Sequence, residues 1–189
     1  LTGVFANSEE PNEKPQIGEP ERTPEEGYHF GEDMTDRAIG WVREQRSLTP
    51  DRPFFLYHSI TLPHGTFEID DLGIYKDRPW TEQEKNYAAM VTRMDREIGK
   101  MMELISELGL DEDTIFVFTS DNGGERFSDN WPLVGGKMDL TEGGIRVPWI
   151  AHWPNGIVQP GRTTAQQCMT MDWSATMVEL GGGQAHTDY

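Results

Sequence analysis

One long amphipathic segment lies between two short apolar runs, and this arrangement constrains the fold more than any other feature of the chain. Over residues 82–108, apolar side chains recur at steps of three and four, which predicts a helix with one buried face. Thr81 and Glu84 form a capping-box pattern at its start, and Gly109 suits the left-handed turn that ends a helix. We therefore expect a long helix with well-defined ends that packs against a core.

The apolar runs on either side of this helix are typical of buried strands. Residues 54–60 and 114–120 are rich in aromatic and aliphatic side chains, and each run leads into a loop. A third run covers 147–153, and shorter helices are predicted over 33–45 and 172–180. Helices that alternate with apolar strands favour an α/β fold with helices on both faces of a sheet. We expect the first two runs to be parallel neighbours, joined by the long helix.

Charge and cysteine content exclude several classes of protein. The 189 residues include 16 Lys or Arg and 33 Asp or Glu, so the formal net charge is −17. Nucleic acid is excluded as a partner, because binding to phosphates requires a cationic surface. No apolar run approaches the roughly 20 residues that cross a bilayer, so no membrane partner is predicted. The single cysteine, Cys168, excludes an internal disulfide and is interpreted as a structural thiol.

Residues 1–32 differ in composition from the rest of the chain. They are rich in Pro, Glu, Asn and Gly and show almost no apolar periodicity. We expect them to form an extended excursion or loop segment, and we assign residues 33–189 to one portion of a domain.

Asp121 and Asn122 follow the second apolar run and precede two glycines. A carboxylate and an amide carbonyl are hard oxygen ligands of the kind that Ca²⁺ and Mg²⁺ prefer. Asp, Asn and Gly are also the usual residues of a simple turn after a strand. Both interpretations of this pair stay open from the residues alone.

Two further loops carry His64 and Lys137. His64 lies just past the first apolar run, where its imidazole could donate to an anion or transfer a proton, or could simply bond to a backbone carbonyl. Lys137 lies between two glycine pairs, on a loop that could wrap an anion; the alternative is a solvated surface lysine. A Walker A loop is excluded, because Trp131 and Met138 occupy positions that need Gly and Ser or Thr. His58, inside the first apolar run, is expected to be a core histidine with satisfied hydrogen bonds.

Several segments, taken in order, resemble the sulfatase family of the alkaline phosphatase superfamily, especially its arylsulfatase-like members. These segments are PFFLYHSITLPHG, TIFVFTSDNGG, GGKMDLTEGGIRVPWIAHWPNGI and DWSATMVELGG. The resemblance extends over about residues 30–183, and the motifs T-S-D-N-G, G-x-K and E-G-G-x-R-V-P are specific at these separations. It implies an α/β, alkaline phosphatase-like sheet with helices on both faces, present as a partial domain. Residues 33–189 would form the C-terminal portion of the catalytic domain.

The resemblance also implies roles for the candidate residues. Asp121 and Asn122 would be two of the four side chains that hold a divalent metal, commonly Ca²⁺, with Mg²⁺ as an alternative. Lys137 would contact the sulfate oxygens, and His64 would lie near the sulfate or the leaving group. A metal and a lysine would neutralise the transferring sulfuryl group, while a histidine would protonate the departing alkoxide.

One essential part of that chemistry is missing from this sequence. Sulfatases attack with a formylglycine made from Cys or Ser within C/S-x-P/A-x-R, and no such pattern occurs among the 189 residues. We therefore expect the formylglycine in an upstream part of a longer parent, and expect this chain alone to be inactive. A half-domain would expose apolar surface and could self-associate.

The resemblance implies a parent that hydrolyses sulfate esters of aryl or carbohydrate alcohols. Its partner would be a sulfated small molecule or glycan, and a periplasmic or secreted location is favoured. Two alternatives stay open, namely a phosphoester or phosphonate hydrolase of the same superfamily and a non-catalytic binding module that keeps the fold.

Overall fold

The structure is a computed structural model, and it describes residue 23 and residues 26–184. The excursion predicted for residues 1–32 therefore lies largely outside the described residues. The chain divides into two compact units, with the boundary between Trp153 and Pro154.

Two long helices form the framework of the first unit, and both were predicted. Helix α1 covers Phe30–Leu48, and its N-cap His29 accepts a hydrogen bond at Nδ1 from the Gly31 amide at 3.2 Å. Helix α2 covers Glu82–Glu107, and the predicted capping box is present at its start. The prediction for α1 was correct in position but too short at both ends.

The core of the first unit lies where α1 packs against α2. Its fully buried members are small or aliphatic side chains that face each other across the two helices: Ala38, Val42, Met101 and Leu104. The methionine-containing face of α2 is thus a packing face, as its spacing predicts. Trp41 and Phe54 extend this core with an edge-to-face contact between ring centroids 5.8 Å apart.

The sheet differs from the prediction. Strand β1 covers Phe116–Thr119 and strand β2 covers Trp149–His152, and the two pair antiparallel, with Phe116 opposite His152. Both strands lie within predicted apolar runs, but β1 is only half-buried and β2 is largely exposed. The expectation of fully buried strands was wrong, because the described residues provide no layer that covers both faces of this two-stranded ladder.

The expected parallel strand over residues 54–60 is absent from the described part of the chain. Side-chain exposure nevertheless alternates there: Phe54 and Leu56 pack against the core, whereas Phe55 and Tyr57 are 65% and 69% exposed. A strand requires backbone partners, and no described segment pairs with this one. The sequence therefore predicted the two-residue periodicity correctly but not the pairing.

His58 also departs from its prediction. Its Nε2 lies 3.3 Å from Thr35 Oγ1, but its Nδ1 is buried and has no hydrogen-bond partner. Burial lowers the pKa of His58, and the nearby Glu97 carboxylate partly opposes that effect. The histidine is thus only half satisfied.

Two further α-helices lie later in the chain, and two single-turn 3-10 helices cover Gly73–Tyr75 and Asp111–Asp113. Helix α3 covers Glu142–Ile145 in the first unit, and α4 covers Thr170–Leu180 in the second unit, close to the predicted 172–180. Cys168 is exposed in the second unit, which does not support its interpretation as a packed structural thiol. Among the described residues, none of the helices has the length and apolar content needed to cross a membrane.

Candidate active site

The loop after β1, which carries Asp121 and Asn122, is joined by its backbone to two later loops. The Gly123 amide donates to the Gly144 carbonyl at 2.8 Å, and the Lys137 amide donates to the Gly124 carbonyl at the same distance. The D-N-G-G, G-G-K and E-G-G motifs therefore meet in space. We call this meeting point the glycine junction and define it by six residues: Gly123, Gly124, Gly135, Gly136, Gly143 and Gly144.

The glycine junction has no room for side chains at its contacts. A Cβ atom on Gly143 would lie 2.1 Å from the Gly135 carbonyl oxygen, and one on Gly144 would lie 2.1 Å from the Asp139 carbonyl oxygen. Backbone atoms cannot shift as a flexible side chain can, so these positions require glycine for steric reasons. Close approach of the backbones thus explains why these sequence motifs contain pairs of glycines.

The loop that carries Lys137 is held in shape by local bonds. Gly135 adopts a φ of 84°, a conformation that glycine tolerates best, and the Gly136 amide donates to Asp139 Oδ2 at 2.9 Å. The Gly143 amide donates to the Val134 carbonyl at 2.7 Å, which ties this loop to α3. The backbone of Lys137 is therefore positioned relative to the Asp121 loop.

Asp121 is exposed and Asn122 is half-buried at the end of β1. The Ser120 hydroxyl donates to the Asn122 carbonyl at 2.9 Å, which shapes the turn. Within the described part of the chain, no hydrogen bond or ion pair engages the side chain of either Asp121 or Asn122. Their oxygen atoms are consequently available to a cation, and a carboxylate with an amide oxygen fits part of a calcium or magnesium site.

The rest of such a metal site is not found among the described residues. They contain no group of three or more His, Cys, Asp or Glu side chains arranged to hold a metal ion. Ca²⁺ usually takes six to eight oxygen ligands, so Asp121 and Asn122 could supply only a minority of them.

Lys137 has a partner that sequence reasoning missed. Its Nζ lies 3.8 Å from Glu125 Oε2, and both side chains are 26% exposed. Glu125 comes three residues after Asn122, within the same loop. The chain has 33 acidic residues, and nothing in the local pattern distinguished Glu125 from the others.

His64 is exposed on the loop that follows residues 54–60. Its amide donates to the Thr61 carbonyl at 2.9 Å, and its Nδ1 lies 2.8 Å from the Gly65 carbonyl oxygen. Since a carbonyl only accepts, Nδ1 carries the proton in this contact, and Nε2 is left to face a ligand. This local bond was one of the two alternatives for His64.

An aromatic cluster of Phe67, Tyr87 and Phe127 connects the His64 loop with the Asp121 loop. The ring centroids lie 5.0 Å apart for Phe67 and Phe127, and 5.2 Å apart for Tyr87 and Phe127, in edge-to-face contacts. Burial raises the pKa of Tyr87, and the Glu125 carboxylate raises it further. The structure thus joins the loop of Asn122 to the loop of Lys137 through backbone bonds of Gly123 and Gly124, and the aromatic cluster packs the His64 loop against the Asp121 loop.

Comparisons of the sequence with known proteins all match this chain to sulfatases. A family model described as Sulfatase matches residues 3–183. N-acetylgalactosamine-6-sulfatase of Canis lupus familiaris is 35% identical over 153 residues, which cover 77% of this chain and 27% of that protein. Steryl-sulfatase of Mus musculus is 32% identical over 165 residues, covering 82% of this chain and 25% of that protein. The chain thus spans about a quarter of the length of these relatives.

The fold of this chain is also similar to that of a solved structure. The crystal structure of Ps i-CgsB in complex with k-i-k-neocarrahexaose superposes with a TM-score of 0.77 at 29% identity, over 85% of this chain and 36% of that chain. This similarity confirms the predicted α/β, alkaline phosphatase-like class, present here as a partial domain.

Proposed function

The chain belongs to the sulfatase family, and on that premise we propose that it is the part of a sulfate ester hydrolase that holds the sulfate group and half of a metal site. The observation that carries this proposal is the glycine junction. It fixes the loop of Lys137 against the loop of Asp121 and Asn122 through the bond from the Lys137 amide to the Gly124 carbonyl.

In this proposal Lys137 binds the sulfate and His64 transfers a proton. The ammonium group of Lys137 neutralises charge on the sulfate oxygens, and it acts strongly because the loop positions it in advance. His64, once protonated, donates from Nε2 to the oxygen of the leaving alcohol as the bond between that oxygen and sulfur breaks. Its contact with the Gly65 carbonyl orients the ring for this transfer.

Two groups from outside the described residues complete the proposed site. A divalent cation, Ca²⁺ or Mg²⁺, would bind Asp121 and Asn122 and would supply further charge neutralisation at the sulfate. A formylglycine would supply the nucleophile, and it would come from a segment with the C/S-x-P/A-x-R pattern that this sequence lacks.

The substrate is proposed as a sulfated glycan or a small sulfated alcohol. Among the relatives, one is named for N-acetylgalactosamine 6-sulfate and another for steryl sulfate, and the solved structure contains a neocarrahexaose. The names of the two relatives differ in the alcohol and share the sulfate, which agrees with a site whose described residues bind the anion.

The test uses a protein that carries this chain together with a C/S-x-P/A-x-R segment. It should hydrolyse 4-nitrophenyl sulfate in preference to 4-nitrophenyl phosphate. The substitution Lys137→Met should lower kcat/KM by about 100-fold or more, and His64→Gln should lower kcat by a similar factor.

The matched control is Lys76→Met, since Lys76 is an exposed lysine of the same unit and should leave the kinetics unchanged. A preference for the phosphate ester would favour a phosphoester hydrolase instead. Unchanged kinetics in Lys137→Met would remove Lys137 from the site.

A further inference from the structure

Lys137, the proposed sulfate-binding residue, already has a negatively charged neighbour. We propose that Glu125 is the resident counter-ion of Lys137, that an anionic substrate must displace it, and that Glu125 thereby sets the anion affinity of the site. This inference rests on the function proposed above, and it assigns a role to a residue outside the recognised motifs.

The carboxylate of Glu125 is held in place by its own loop. Its Oε1 accepts a hydrogen bond from the Arg126 amide at 3.1 Å, while its carbonyl accepts one from the Ser128 amide at 2.8 Å. The other oxygen, Oε2, is the one that faces Lys137 Nζ at 3.8 Å. One carboxylate oxygen therefore anchors the side chain and the other faces the lysine.

The backbone brings the two residues together independently of their charges. The Lys137 amide bonds to the carbonyl of Gly124, the residue directly before Glu125. A Cβ atom on Gly136 would lie only 3.0 Å from the same Gly124 carbonyl oxygen, so the two loops are in close contact. The ion pair is consequently a product of the glycine junction and not a chance meeting of two long surface side chains.

Partial burial strengthens the influence of the Lys137–Glu125 pair on the binding of an anion. Both side chains are about three-quarters covered, so their interaction is less screened by solvent than that of a surface pair. A sulfate close to Lys137 would place a second negative charge near the Glu125 carboxylate, and the two anions repel each other. Binding therefore requires the carboxylate to move away from Nζ, and the free energy of that exchange opposes association. The contact with Glu125 also keeps Lys137 paired before substrate arrives.

The other charged groups near this pair do not replace Glu125. Asp139 Oδ2 accepts a hydrogen bond from the Gly136 amide, and the exposed side chain of Glu142 pairs with Arg146 at 3.2 Å. Within the described part of the chain, Glu125 is the carboxylate that forms an ion pair with Lys137. Removing its charge should therefore have an effect that removing a neighbouring charge does not have.

The experiment measures binding of inorganic sulfate to the 189-residue chain by NMR, at constant ionic strength. Chemical-shift changes of the amides of residues 123–125 and 135–137 report the site and give a dissociation constant even in the millimolar range. Glu125→Gln should bind sulfate about tenfold more tightly than the unchanged chain, since it removes the negative charge that lies 3.8 Å from Lys137 Nζ and competes with the anion. Glu125→Asp, which keeps the charge, should stay within about threefold of the unchanged chain.

The matched control is Glu142→Gln, which removes the same charge from an exposed pair and should change the affinity less than twofold. An affinity of Glu125→Gln no higher than that of the unchanged chain, or sulfate binding to neither, overturns the counter-ion proposal. Lys137→Met separates this outcome from failure of the proposed function. If Lys137→Met leaves sulfate binding intact, the site assignment itself is wrong; if it weakens binding while Glu125→Gln has no effect, only the role of Glu125 is wrong.

Discussion

Gly123 and Gly143 approach so closely that a Cβ atom on Gly123 would lie 1.8 Å from the Gly143 carbonyl oxygen. The contact joins the loop after β1 to the first turn of α3, and the bond from the Gly123 amide to the Gly144 carbonyl reinforces it. Because both sides of the contact are backbone, neither can rotate away from an added methyl group. The relative position of Asn122 and Lys137 depends on this approach.

Gly123→Ala should therefore destabilise the chain by about 2 kcal/mol, as overpacking of a tight contact does. Urea unfolding monitored by circular dichroism measures the change. Gly99→Ala is the matched control, since Gly99 lies inside α2 with open space around its Cβ position. That control should stabilise the chain by about 0.5–1 kcal/mol, because alanine favours helix more than glycine does. Equal effects of the two substitutions would contradict the close contact.

A buried arginine ties α2 to α1 and to the loop before α2. Arg93 is 9% exposed; its Nε lies 3.4 Å from Glu32 Oε1, and its guanidinium also bonds to Asp70. Arg93→Met should lower the free energy of unfolding by about 2 kcal/mol, because it removes a buried guanidinium with both of its ion pairs, leaving Asp70 unpaired and Glu32 with Arg96 alone. Denaturant unfolding measures the loss.

The comparison for Arg93 is Arg43→Met, which breaks a pair with Glu107 that also joins α1 to α2. Those side chains are 54% and 60% exposed, so the cost should be below about 1 kcal/mol. A loss in Arg93→Met as small as that in Arg43→Met would show that the buried network does not stabilise the helix pair.

Stability should fall on mild acidification because of two histidines. Burial is the main cause that lowers the pKa of His29 and of His58 in the folded chain, and the Arg93 charge lowers that of His29 further. The unfolded state then binds more protons than the folded state, so stability rises with pH. This contribution is fully present above the usual histidine value of about 6.5, and it is lost as the pH falls through the lowered values.

Urea unfolding between pH 5.5 and 7.5 measures this slope. His58→Gln should flatten it, and so should His29→Asn, which keeps a side-chain acceptor at the N-cap of α1. A slope of opposite sign, or one that both substitutions leave unchanged, would refute the assignment to these histidines.

Calcium should bind weakly to the 189-residue chain. Asp121 and Asn122 offer at most a few oxygen ligands, whereas Ca²⁺ usually takes six to eight. Isothermal titration calorimetry should give a dissociation constant well above the micromolar range, weakened further by Asp121→Ala. Submicromolar binding that Asp121→Ala abolishes would mean that the chain supplies further calcium ligands besides Asp121 and Asn122.

The same chain should show no turnover of an aryl sulfate, because its sequence contains no C/S-x-P/A-x-R pattern from which a formylglycine could form. A spectrophotometric assay with 4-nitrophenyl sulfate measures this. Sustained hydrolysis by the purified chain, lost in Lys137→Met, would place a nucleophile within these 189 residues.

The local features of this protein follow from its amino-acid sequence alone. Capping residues and apolar spacing predicted α1, α2 and α4, because a helix depends on bonds between neighbours in the chain. The motif glycines and the candidates His64, Asp121, Asn122 and Lys137 were also evident from their order. The pairing of segments and the contacts between charges, in contrast, depend on how distant parts of the chain fold together. Residues 54–60 keep a strand-like alternation without a ladder, since the hydrogen bonds of a strand come from distant residues. Glu125 lies beside Lys137 because glycine backbones bring their loops into contact, and no pattern of neighbouring letters encodes that distance.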